Sequence, residues 1–130
     1  MLGETLTPDG TMLRLTRRDS EYIILANGKS LMSSRMHGSE EALATFACER
    51  ARKREQSCVL VGGLGMGFTL RATLDVLPPD ATVVVAELVP AVVEWVAMAP
   101  ILLTVPLTLV ENDVVASTSL TSMKVVGSFW

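Results

Sequence analysis

The stretch from Cys58 to Glu87 constrains the fold of this chain more than any other. Cys58-Val59-Leu60-Val61 is an unbroken apolar run, the pattern of a strand buried on both faces of a parallel sheet. It enters Gly62-Gly63-Leu64-Gly65-Met66-Gly67 and then a helical stretch from Phe68 to Leu77, closed by Pro78-Pro79-Asp80. A second apolar run, Thr82 to Ala86, ends on Glu87. Pro90 then suits the first turn of another helix, which carries Val92, Val93 and Trp95. Strand, helix, strand, helix in this rhythm predicts a right-handed parallel α/β unit.

The loop between the first strand and its helix has to turn sharply and let backbone approach a ligand. Glycine serves both needs because it lacks a Cβ. Its glycines fall at Gly63, Gly65 and Gly67, a G-x-G-x-G pattern. A dinucleotide fingerprint would need a further glycine where Phe68 stands. A P-loop shares the spacing Gly62 to Gly67 but continues with Lys and Ser/Thr, where this chain has Phe68 and Thr69. Neither phosphate-cradling motif fits. Glu87 stands about 20 residues beyond the last glycine, at a strand end, where Rossmann-like folds place the acid that accepts hydrogen bonds from ribose hydroxyls. The alternative is a glycine-rich turn with a surface glutamate beside it.

Upstream of this unit the chain reads as β-structure. Thr11 to Arg17 alternates imperfectly, and Glu21 to Ala26 is rich in β-branched and aromatic side chains. Arg18-Asp19-Ser20 suits a turn between them. Asn27-Gly28 is a tight hairpin signal, with Lys29 to Ser33 returning. A helix is predicted to start at Ser39 as N-cap, with Glu40 and Glu41 in its first turn and Arg50, Arg52, Lys53 and Arg54 at its end. That basic cluster has no interleaved aromatics, and the chain's net charge is −3, so a solvated helix end is preferred to a nucleic-acid patch. His37, just before this helix, reads most simply as a structural hydrogen-bonder.

Composition agrees with a folded chain: 49% hydrophobic and 19% charged residues. Cys48 and Cys58 lack zinc-ligand spacing, so they read as reduced thiols of a cytoplasmic protein, with no metal site. The start of the chain, MLGETLTPDG, does not have the form of a signal peptide. Between Glu94 and Glu111 there is no charge, but the run is shorter than the roughly 20 residues a span needs, and Pro100 and Pro106 interrupt it. A buried helix end followed by a buried strand is the reading, rather than a membrane segment. Leu107 to Val110 is a candidate third strand, followed by Glu111-Asn112-Asp113. An acid there can accept from an adenine amino group, or belong to an exposed loop.

These residues resemble the spermidine synthase-like branch of the S-adenosylmethionine-dependent methyltransferase fold. VLVGGLGMG is similar to that branch's first motif, with Val61 in place of an acid. VVVAELVPAVVEW resembles its second motif, which makes Glu87 the ribose-binding acid, and VENDV the segment whose adenine-contacting acid would be Asp113. GKSLMSSRMHGSEEALA looks like the family's hairpin sheet running into its first helix, with His37 and Glu40 matching a His-Glu pair near the polyamine pocket. The resemblance covers residues 20–95 and, less closely, 107–116. In aminopropyltransferases an aspartate after the fourth strand deprotonates the acceptor amine, which attacks the methylene next to the sulfonium of decarboxylated S-adenosylmethionine. After Asp113 this sequence contains no acid, so no catalytic residue is assigned.

The fold expected is α/β: an N-terminal antiparallel β-hairpin region over 1–38, then a partial Rossmann-like parallel sheet forming a nucleoside-binding domain over 39–130, truncated or divergent after Trp95. By resemblance the ligands are S-adenosylmethionine or its decarboxylated form as co-substrate, and a polyamine. A methyltransferase and a non-catalytic nucleoside-binding remnant stay open beside the aminopropyltransferase. The expected partners are small molecules and a second copy in a homodimer, with no nucleic acid and no membrane.

Overall fold

The computed structural model describes residues 1–96 and the backbone of 97–98, 107–110, 113–117 and 122–127. The chain divides into two units, Met1–His37 and Gly38–Trp130.

The first unit is one antiparallel sheet of β1 (Gly3–Leu6), β2 (Met12–Arg18), β3 (Glu21–Ala26) and β4 (Lys29–Ser33), in that order. Its turns follow from local chemistry. Asn27 and Gly28 both take positive φ, 48° and 80°, as a two-residue hairpin between Ala26 and Lys29 requires. Asn27 also accepts a hydrogen bond from the Met12 N–H at 2.9 Å, which ties the turn to β2. Leu15 lies opposite Ile24, and with Leu13 they make this sheet's buried face. Strand β1 was not anticipated from the sequence. The connection that returns it to β2 is built on Thr7, which accepts from the Thr11 N–H at 3.1 Å, and on Gly10 at φ 85°. The Thr7 hydroxyl also donates to Asp9 and holds its carboxyl below the usual range.

The second unit opens with α1 (Gly38–Ala47), followed by a 3-10 turn at Ala51–Lys53. Two expectations change here. The Ser39 hydroxyl lies inside the helix and donates to Glu40 at 2.9 Å, rather than standing before the first turn as a cap. The basic cluster lies beyond the helix, not in its last turn, because the α-helix stops at Ala47. Arg52 and Lys53 instead pair with Glu49, at 2.9 and 2.8 Å.

Strand β5 (Cys58–Gly62), α2 (Phe68–Val76), β6 (Thr82–Glu87) and α3 (Pro90–Met98) follow as the sequence pattern requires. β5 and β6 pair in parallel, Cys58 opposite Thr82 and Gly62 opposite Ala86. Leu70 of α2 and Val83 and Val85 of β6 are completely buried, so they are the centre of this unit's core. Beyond α3 come β7 (Leu107–Val110), β8 (Asp113–Ser117) and β9 (Ser122–Gly127), and the sheet order is β5-β6-β9-β8-β7.

Here the structure corrects the sequence reading. Leu107–Val110 is a strand, but it pairs antiparallel with β8 at the far edge. The strand that lies parallel to β6, in the third place, is Ser122–Gly127. The result is three parallel strands extended by an antiparallel meander: an α/β, partial Rossmann-like arrangement. The proline-broken run over 99–106, Glu111, Asn112 and Trp130 lie outside the described residues.

Candidate functional site

The site is built where the C-terminal ends of β5 and β6 lie side by side. Gly63, Gly65 and Gly67 all have positive φ, 91°, 54° and 85°. That backbone is strained for any residue with a Cβ, which explains the G-x-G-x-G spacing. Gly63 is not glycine for want of room, since a Cβ there would meet no atom within 4 Å. Gly62 is different: it has no positive φ and nothing near it, and both it and Gly63 are exposed. The loop closes through the Gly67 N–H donating to the Leu64 carbonyl at 2.8 Å. Gly67 then stands as the N-cap of α2, its carbonyl accepting from the Arg71 N–H at 2.8 Å.

Two contacts fasten this loop to β6. The Gly63 N–H donates to the Ala86 carbonyl at 2.7 Å. The Leu64 N–H donates to the Glu87 carboxylate at 2.7 Å, and the other carboxylate oxygen accepts from the Val89 N–H at 2.9 Å. Glu87 is 9% exposed, so it is not a surface glutamate at a strand end. Each oxygen of an ionised carboxylate has two acceptor positions, and only one on each is used by these amides. The acid thus links the glycine loop to the start of α3, with one acceptor position left on each oxygen.

The remaining sequence candidates belong to other elements. Glu40 lies in the first turn of α1 and accepts from Ser39. His37 is the last residue of the other unit. Asp113 is the first residue of β8, its backbone opposite Val110 on one side and Val126 on the other. It therefore belongs to the antiparallel meander rather than following a parallel third strand. What the sequence reading missed is the bracing role of Glu87 toward Leu64 and Val89; no side-chain pattern signals it, because the donors are main-chain amides.

Both cysteines are free: Cys58 is exposed on β5, while Cys48 is buried, which pushes its thiol up despite a hydrogen bond with Thr73. Among the described residues no group of His, Cys, Asp and Glu is arranged to hold a metal ion, and no helix is long and apolar enough to cross a membrane.

No family model and no curated protein matches this chain. A solved structure of a probable spermidine synthase from Corynebacterium glutamicum aligns over 96% of the chain, with TM-score 0.49 and 14% identity. The chain spans 44% of that protein's length. Likeness at that level does not extend to chemistry.

Proposed function

We propose that the loop Gly63–Gly67 and Glu87 bind the nucleoside part of an S-adenosylmethionine-type ligand. The observation that carries this reading is the buried Glu87 carboxylate, held at the end of β6 against the glycine loop with acceptor positions to spare. Two ribose hydroxyls can donate to such a group, whereas a 2′-phosphate would be repelled by it. The exposed backbone at Gly62 and Gly63 leaves the approach open. By family resemblance Asp113 would meet the adenine amino group, and His37 and Glu40 a polyamine.

The reaction this supports best is of the spermidine synthase type, aminopropyl transfer from decarboxylated S-adenosylmethionine to a polyamine. Such a displacement needs alignment of amine and methylene carbon, and electrostatic support for the departing thioether, rather than a protein nucleophile. It also needs a base for the amine, and the sequence has no acid after Asp113 to serve. Binding is therefore the part of the function proposed for these residues themselves. The same loop and acid would serve a methyltransferase.

Calorimetric titration with methylthioadenosine tests the site. The wild type should bind, and Glu87→Gln should weaken binding at least tenfold while the far-UV spectrum is kept. No binding by the wild type, or unchanged binding by Glu87→Gln, overturns the assignment. A preference for decarboxylated over intact S-adenosylmethionine would favour aminopropyl transfer, and the reverse preference methyl transfer.

A further inference from the structure

Asn27-Gly28 carries a chemistry of its own besides its use as a turn. The main-chain nitrogen of Gly28 can attack the side-chain carbonyl carbon of Asn27. The new C–N bond closes a succinimide ring, and the bond from that carbon to the side-chain nitrogen breaks. The proton lost from Gly28 leaves with that nitrogen as ammonia. Water then opens the ring at one carbonyl or the other, giving an aspartyl or an isoaspartyl residue. Glycine in the second place leaves the attacking nitrogen unshielded, because it has no Cβ. Both residues are exposed, so water reaches them.

Two features of the hairpin oppose ring closure. Positive φ at Asn27 and at Gly28, in a two-residue loop between Ala26 and Lys29, defines a type I′ turn. In that turn ψ of the first residue is about 30°. The Gly28 nitrogen then stands nearly anti to Cβ across the Cα–C bond of Asn27, whereas ring closure needs the two nearly eclipsed. The second feature is a grip on the side chain. The Asn27 N–H donates to the Met12 carbonyl at 2.8 Å, and Oδ1 accepts from the Met12 N–H at 2.9 Å. Asn27 thus satisfies both main-chain groups of Met12, one with its backbone and one with its side chain. Attack by Gly28 requires ψ to turn and the side-chain bond to break.

We propose that Asn27 is a site of spontaneous deamidation that the closed hairpin holds shut and the opened hairpin releases. The two products differ in what they allow afterwards. Aspartate keeps an oxygen for the Met12 N–H and leaves the main chain as it was. Isoaspartate routes the main chain through Cβ, and the carbonyl that served Met12 becomes part of that main chain. A two-residue loop with Ala26 opposite Lys29 cannot absorb the added atom. Each opening that ends in isoaspartate is therefore irreversible, and the product accumulates as a record of hairpin opening.

The test follows the full chain at mildly alkaline pH and does not depend on the nucleoside site. Ammonia loss is read by mass spectrometry of the tryptic segment 19–29, which holds no other asparagine and no glutamine. The same chain unfolded in guanidinium chloride, and a synthetic peptide of residues 19–29, give the unprotected rate. The folded chain should react at least tenfold more slowly. Leu13 is buried opposite Ala26, beside the turn, so Leu13→Ala loosens the sheet there. It should raise the rate in native buffer at least threefold and leave the rate in guanidinium chloride unchanged. A folded wild type that reacts as fast as the peptide overturns the proposal, and that comparison needs no variant. A Leu13→Ala chain with a lowered denaturation midpoint and an unchanged rate overturns it too, because the reaction would then run in the closed turn. Asn27→Asp should keep the wild-type far-UV spectrum, while the isoaspartyl chain, separated chromatographically, should lose strand signal. Equal spectra overturn the irreversible step.

Discussion

Strands β5 and β6 have almost the same chemistry and opposite surroundings. CVLVG and TVVVAE are both apolar runs that end beside the glycine loop. β6 is paired on both sides, with β5 and β9, and its Val83 and Val85 are fully buried. Among the described residues β5 is paired on one side, and Leu60 at its centre is largely exposed. The difference teaches that continuous apolar sequence reports how many neighbours a strand is suited to, not how many it has. In β6 that suitability is met within the unit. In β5, among the described residues, it is left over on one side.

The strongest way to break this comparison is to charge both strands. Val85→Asp puts a carboxylate where nothing can solvate or pair it, a cost of several kcal/mol that should abolish cooperative unfolding. Leu60→Asp, measured in dilute protein, should change stability by no more than about 0.5 kcal/mol. Equal damage from the two would mean that β5 is as enclosed as β6.

A smaller effect is expected at the end of β6. Glu87→Ala leaves the Leu64 and Val89 amides without their acceptor, a loss of about 2–4 kcal/mol in denaturant unfolding. Glu87→Gln, which keeps one acceptor oxygen, should lose about half of that. At the end of β5, Gly63→Ala should cost about 1–2 kcal/mol because of its φ of 91°, while Gly62→Ala should be nearly neutral. A reversal of those two would place the strained position of the loop elsewhere.

The smallest effect lies off the sheet. Hydrogen bonds from Arg52 and Lys53 lower the Glu49 carboxyl from 4.5 to about 2. Its contribution to stability is therefore present above pH 4.5 and is lost as pH falls from there toward 2. The group is fully exposed, so the contribution is slight and screened by salt. NMR titration should find the depressed value, and replacing both Arg52 and Lys53 by Gln should return it toward 4.5.

What was legible in the sequence was local. Asn27-Gly28 announced its hairpin because positive φ at two successive positions is a property of those residues themselves. The β5–loop–α2–β6 order was legible because glycine spacing and apolar runs lie within one short stretch. Strand β1 escaped notice because GETL offers a single large apolar side chain. The third parallel strand was misplaced because pairing is decided between distant segments: LTLV looks the better buried strand, yet SMKVVG, with Lys124 in its middle, takes the place beside β6. The position of Glu87 could be read because it closes the apolar run of β6.

The two hydrogen bonds that run from Gly63 and Leu64 to the end of β6 also set an order of events. Neither acceptor is near the loop until β6 has docked against β5, so the glycine turn cannot mature ahead of the strand that follows it. Amide protons at Gly63 and Leu64 should therefore exchange with solvent at the rate at which the β5–β6 pair opens. Their protection is a clock for strand docking, readable at two positions.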